Sequence, residues 1–182
     1  MQKSSQTGFT LLEAMVVVSI IGILVAIAVP SYRDQMAKSQ LSLQAGSVLN
    51  GLQLARSEAL RRNSKVFFTI GTDLSWTVGC ETVVGDTNGD GLPDCPSIIQ
   101  SKAAAEGGST VAMSITPTTS RTATFTGLSL LSLTNKDGSV PFTTLNFSNT
   151  GTTKTSRITL SSGGQPKLCD PSITTAGDPN LC

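Results

Sequence analysis

The sequence has no histidine, one tryptophan and one tyrosine in 182 residues. Without histidine it lacks the side chain that most often acts as general base and as transition-metal ligand, which leaves little for a hydrolytic or metal-dependent catalyst. Charge is scarce too. Charged residues make up 14% of the chain, and 13 Lys and Arg face 12 Asp and Glu. No overall field therefore steers the molecule toward nucleic acid or anionic lipid, and a charged partner needs a local patch. There is no internal repeat. The 38% apolar content suffices for the core of one globular head with an appended element.

Cysteine is sparse but ordered. Cys80, Cys95, Cys169 and Cys182 fall into two sequence-local pairs with spacings of 15 and 13. Neither pair has the short bite a structural zinc site prefers. In a chain with an export segment the pattern reads as two disulfides closing short loops. Three pairings are open to four cysteines, and near neighbours meet most often. Cys80–Cys95 and Cys169–Cys182 are therefore expected.

The one long apolar run, Phe9 to Val29, covers 21 residues whose only charge is Glu13, and it stops at Pro30. At about 1.5 Å per residue it can cross a hydrocarbon layer of roughly 30 Å. A plain anchor and a secretory signal peptide are the simpler readings. The run is long for a signal peptide, and Pro30-Ser31-Tyr32-Arg33 offers no small-residue cleavage site. A carboxylate inside a span is costly and marks function by default, yet no other charge in the run can pair with Glu13.

At these residues a resemblance becomes specific. Gly8-Phe9-Thr10-Leu11-Leu12-Glu13 resembles the G-F-T-L-x-E processing motif of type IV pilins and type II secretion pseudopilins, with Gly22 and Pro30 where that family commonly has glycine and proline. The resemblance implies that prepilin peptidase cuts between Gly8 and Phe9 and methylates the new amino terminus. It also implies that Glu13 pairs with the free amine of a neighbouring subunit's Phe9 during assembly.

Beyond Arg33, Leu41, Ala45, Val48, Leu52, Ala55 and Ala59 are spaced by 4, 3, 4, 3 and 4, which traces one helix face expected to lie under the head's sheet. The stretch Leu49 to Phe68 resembles the GspH/FimT group of minor pilins and pseudopilins, in which an A-R-S-E-A-x-x-R-N sequence closes the first helix. Arg56, Glu58, Arg61 and Arg62 match it. For these charges the favoured reading is a solvated helix face with a basic cluster at its dipole-favoured end.

After Asn63 come short β-rich runs: Val66 to Ile70, Leu74 to Val78, Ser97 to Gln100, Thr110 to Ile115, Thr122 to Phe125, Thr144 to Phe147, Arg157 to Leu160 and Lys167 to Cys169. The expected fold class is α+β, a long N-terminal helix packed on an antiparallel, largely β head. Residues 1–8 read as leader, 9–62 as helix with 9–29 the membrane and assembly segment, and 63–182 as head.

Asp86, Asn88, Asp90 and Asp94, with glycine at the sixth place, resemble the first half of a calcium loop. Ser97 stands where the bidentate glutamate belongs, and Asn-Gly and Asp-Gly also form turns unaided. Weak Ca²⁺ binding and a simple turn are both open, and no other cofactor is expected. Near the C-terminus the chain resembles the closing strand of FimT-type proteins, whose G-R-x-R motif is linked to DNA capture. Gln165 and Lys167 replace those arginines. Lys154, Arg157 and Lys167 remain as a basic set, with a solvated strand edge favoured over DNA binding.

The resemblance implies a minor pilin of a type IV pilus. The alternatives are a GspH-like type II secretion pseudopilin and, in another class, a DNA-binding minor pilin for uptake. Implied partners are other pilins or pseudopilins through the N-terminal helix, prepilin peptidase and the inner membrane. The implied location is a single-pass inner-membrane form with a periplasmic head, then the pilus or pseudopilus. An enzyme is not expected.

Overall fold

Thr10 caps the helix that the apolar run dictates. Its Oγ1 accepts from the Glu13 amide at 3.2 Å, satisfying one of the amides a helix start leaves without a partner. In a computed structural model, which describes residues 10–89, 91–104 and 110–182, α1 runs Leu11–Arg62 with Pro30 inside it. The helix ends on Asn63, whose φ of 45° is left-handed. Ser64 N then donates to Ala59 O at 3.2 Å and Asn63 N to Leu60 O at 3.3 Å, the two bonds of a Schellman motif.

The chain divides into two units, residues 1–36 and Ala37–Cys182. In the first, the described residues from Thr10 through Arg33 are exposed. In the second, Leu41, Ala45, Val48, Leu52, Ala55 and Ala59 are fully buried, the face that the spacing of 4 and 3 predicts.

That face packs into a head that has eight strands among the described residues: β1 (Val66–Ile70), β2 (Trp76–Cys80), β3 (Gln100–Lys102), β4 (Val111–Thr116), β5 (Thr122–Phe125), β6 (Thr144–Asn149), β7 (Thr155–Leu160) and β8 (Pro166–Cys169). They form two antiparallel four-stranded sheets, in the orders β3-β2-β1-β5 and β4-β6-β7-β8. The strand alternation puts Val66, Phe68 and Ile70 inward from one sheet and Leu145, Phe147 and Ile158 from the other. Phe68 joins the aromatic core, its ring centroid 6.0 Å from Trp76 and 6.2 Å from Phe142. Gly51 lies directly under this group. A Cβ there would stand 2.7 Å from the Phe68 ring, so the approach requires glycine.

Polar side chains anchor the helix to each sheet. Trp76 Nε1 and Lys102 Nζ both donate to Ser47 Oγ, at 3.1 and 2.7 Å, while Asn149 Nδ2 donates to Ala37 O at 3.3 Å. Five strand starts differ from expectation by one to three residues, and those of β2 and β3 have a local cause. β2 begins at Trp76 because Asp73 draws the Ser75 amide into a turn that forces Leu74 to φ 64°. β3 begins at Gln100, since the chain from Pro96 to Ile99 follows β2 with only isolated backbone bonds.

Candidate functional site

The apolar segment exposes its large side chains throughout, from Leu11 at 79% to Val29 at 41%. Among the described residues it is one helix long and apolar enough to cross a membrane by length and composition. Glu13 sits on its first turn. Gly8 and Phe9 lie outside the described residues.

At the other end of α1 the charges are not the solvated face the sequence suggests. Arg61 grips Glu58 with Nε to Oε1 at 3.1 Å and Nη2 to Oε2 at 2.7 Å, and Arg62 adds Nε to Oε2 at 2.7 Å. Arg62 Nη1 also donates to the Asp94 carbonyl. Only Arg61 reaches well into solvent, and the Glu58 and Arg62 side chains are largely covered. Its bonds to Arg61 first, then Arg62, hold the Glu58 carboxyl below the usual carboxylate range despite burial.

Both disulfides close, Cys80–Cys95 and Cys169–Cys182, and no cysteine is free. Between the first pair, two carboxylates of the acidic loop, Asp86 and Asp94, bind within the loop itself. Asp86 accepts from the Gly89 amide at 2.6 Å and the Gly91 amide at 2.8 Å, and Asp94 accepts from the Thr87 amide at 3.1 Å and the Thr87 hydroxyl. Gly89 and Gly91 adopt φ of 80° and 82°, as tight turns there require. Among the described residues no three His, Cys, Asp or Glu side chains converge to hold a metal. Asp90 lies outside them.

The basic set is engaged within the fold. Lys167 Nζ donates to Leu181 O at 2.7 Å, and Arg157 Nε to Asn146 Oδ1 at 2.6 Å. Lys154 helps hold Asp170 below the usual range, after the larger effect of Ser172, whose hydroxyl and amide both donate to that carboxylate. Arg157 and Lys167 are diagonal neighbours across β7 and β8, because Thr159 pairs with Lys167 and Arg157 with Cys169.

A profile for the family described as Type II transport protein GspH matches residues 44–172, the helix end and most of the head. The chain belongs to the GspH family. A second profile, the prokaryotic N-terminal methylation motif, matches residues 3–29. The chain is 49% identical over 59 residues to a type IV major fimbrial protein FimA of Dichelobacter nodosus, covering 32% of this chain and 36% of that one. It is 52% identical over 58 residues to the fimbrial protein EcpC of Eikenella corrodens, covering 32% and 37%. The chain thus spans about a third of the length of the curated relatives it matches. Among solved structures it resembles the type IV minor pilin FimU of Pseudomonas aeruginosa, at 15% identity and TM-score 0.48 over 76% of this chain and 97% of that one. It also resembles the minor pseudopilin EpsH of Vibrio cholerae, at 16% and 0.48 over 74% and 99%.

This GspH-family head holds a cluster that sequence reasoning missed. Arg56 Nε donates to Ser129 O and its Nη1 to Gln165 Oε1, both at 3.3 Å. Ser129 has φ 61°, and Gly164 presses so close that a Cβ on it would stand 2.1 Å from Ser129 O. Arg56 and Gln165 are 109 positions apart, so neither spacing nor periodicity links them. The only hint in the chain is the Leu128-Ser129-Leu130-Leu131-Ser132-Leu133 run, which fits no helix or strand period cleanly.

Proposed function

We propose that this chain is a structural, non-catalytic minor subunit of a type IV pilus, cut after Gly8 by prepilin peptidase, methylated on Phe9 and inserted through α1 into a filament or its initiating complex. One observation carries the reading. The methylation-motif match over residues 3–29 coincides with a solvent-exposed apolar helix whose first turn holds Glu13, the only acid in the run. Thr10 capping the Glu13 amide supports it, since the helix then starts just after the proposed new terminus. On this reading the head stands in the periplasm before assembly, an oxidising compartment suited to two disulfides.

Intact mass from cells with and without the peptidase tests the proposal. Loss of residues 1–8 with one added methyl group is expected only with the enzyme present, and a retained leader in peptidase-positive cells overturns it. A second reading, a minor pseudopilin of a type II secretion system, is favoured by the description of the matching family profile. Co-purification with a pilus or with a secretion complex separates the two.

A further inference from the structure

In the run from Leu128 to Leu133, Leu131 packs on the core while the other three leucines face solvent. Ser129 and Ser132 are buried at 8% and 9% exposure, while Leu128, Leu130 and Leu133 stand at 74%, 45% and 90%. The arrangement is held in place. Ser129 takes a left-handed φ, its carbonyl accepts from Arg56, and Gly164 packs against it. The Ser132 amide donates to Thr124 O at 2.8 Å and its hydroxyl to Thr134 O at 2.8 Å. Backbone strain that presents apolar side chains to water points to a surface made for contact.

Beside this run lies a groove of about 310 Å³ lined by Gln53, Arg56, Ser57, Leu60, Ser129, Gln165 and Pro166. Leu60 is 60% exposed at its edge, and Leu128 and Leu130 flank Ser129. The lining holds one cation and no acid. Among the described residues the Arg56 guanidinium hydrogen-bonds through Nε and Nη1 alone, which leaves donors for a carboxylate.

We infer that this groove docks a neighbouring protein subunit of the same assembly, through a segment that sets a carboxylate on Arg56 between apolar side chains lying on Leu60, Leu128 and Leu130. The charge of the groove selects an acidic partner. The leucines favour protein over a phosphate backbone, which gains nothing from them and needs more than one cation for useful affinity. The inference rests on the assembly reading above.

The test uses the full chain in peptidase-positive cells, with photoreactive benzoyl-phenylalanine in place of Leu128 or, separately, of Val18 in the apolar helix. The expected result is a Leu128 adduct with a chain bearing a prepilin-type terminus, its cross-linked peptide carrying Asp or Glu beside apolar residues. Arg56→Gln should lower that adduct on the order of tenfold, the weight of a charge-assisted bond, and leave the Val18 adduct unchanged. Leu60→Ser, at an exposed position, should lower it too and guards against misfolding of the arginine variant. A Val18 adduct without a Leu128 adduct overturns the inference and leaves the assembly reading standing. An adduct to DNA or lipid, or to a peptide without a carboxylate, overturns it as well. Loss of both adducts removes the assembly reading and the inference with it.

Discussion

Arg62 Nε lies 2.7 Å from Glu58 Oε2, and the same guanidinium donates to the carbonyl of Asp94, so one side chain ties the last turn of α1 to the base of the Cys80–Cys95 loop. The two side chains are 13% and 14% exposed, which removes this pair from the class of surface ion pairs that contribute little. Glu58→Gln should destabilise the head by roughly 1–3 kcal/mol, because a covered guanidinium loses its charged partner. Arg61→Ala should cost much less, since that arginine is 63% exposed. Thermal unfolding of the full chain in detergent checks both, and equal costs would refute the distinction.

Acid should loosen the head through a recurring turn. Asp73, Asp137 and Asp170 each accept the amide and hydroxyl of the serine two residues on, and these bonds hold each carboxyl below its ordinary value of 3.8. Glu58 lies below its ordinary 4.5, through Arg61 first. A carboxyl whose folded value is depressed contributes stability above its unfolded value and loses it as pH falls through the folded one. Stability should therefore be flat from pH 7 to about 5 and decline below about 4.5. Asp137→Asn should flatten part of that decline in a pH series of melting curves. A midpoint that falls between pH 7 and 6 would contradict the assignment.

Gly164→Ala should be among the most damaging single-methyl changes in the head. The φ of 73° disfavours any side chain, and the added Cβ would stand 2.1 Å from the backbone oxygen of Ser129. The expected cost is about 2–4 kcal/mol, a left-handed strain plus a backbone displacement. Gly163→Ala is the control. It meets only the Ser161 hydroxyl at 3.7 Å, and its melting temperature should stay close to that of the parent.

Glu13→Ala should insert into membranes at least as well as the parent, because it removes the only charge from the span. Its recovery in sheared filaments should fall severely if the carboxylate pairs with a neighbour's terminal amine. Fractionation of membranes and filaments reads both quantities, and normal recovery in the filament would reject the pairing.

For DNA the expectation is weak, salt-sensitive binding. Lys167 and Arg157 are engaged by Leu181 and Asn146, and Gln165 is bonded to Arg56. Gln165→Arg would set a second guanidinium beside Arg56, which should strengthen duplex binding at low salt and steepen its salt dependence by about 0.9 in log–log slope for each additional phosphate neutralised. Gel shifts at two salt concentrations decide it. Firm parent binding that Lys167→Ala abolishes would instead make the basic set a DNA site.

Much of this architecture is legible in residue spacing. The 4 and 3 steps from Leu41 to Ala59 mark the buried helix face because a helix repeats every 3.6 residues, and alternation marks Val66, Phe68 and Ile70 as one inward strand face. Spacing is silent on contacts between distant segments. It gave no sign that Arg56 would meet Gln165, or that hydrogen bonds from Arg56 and with Thr124 would turn Ser129 and Ser132 inward against their polarity. Nor does it show that Glu58 and Arg62 are largely covered, with Arg62 reaching the Asp94 carbonyl from a segment distant in sequence. The start of β2 was missed for a local reason, the Asp73 turn and left-handed Leu74, which outweigh the strand preference of the run.

The pairing of β1 with β5 sets a timetable for the growing polypeptide. Val66 meets Phe125, so β1 has only its β2 side occupied until some sixty further residues have left the ribosome. Leu145, Phe147 and Ile158, which complete the pocket around the helix, come later still. The β1–β2 hairpin and the Cys80–Cys95 bridge can form early because both close locally. Through that interval the greasy side of residues 41–59 has no lid. A chaperone acting on the nascent subunit would find its target there, and a truncation between the end of α1 and residue 125 should leave a sticky, protease-sensitive helix rather than a smaller folded head.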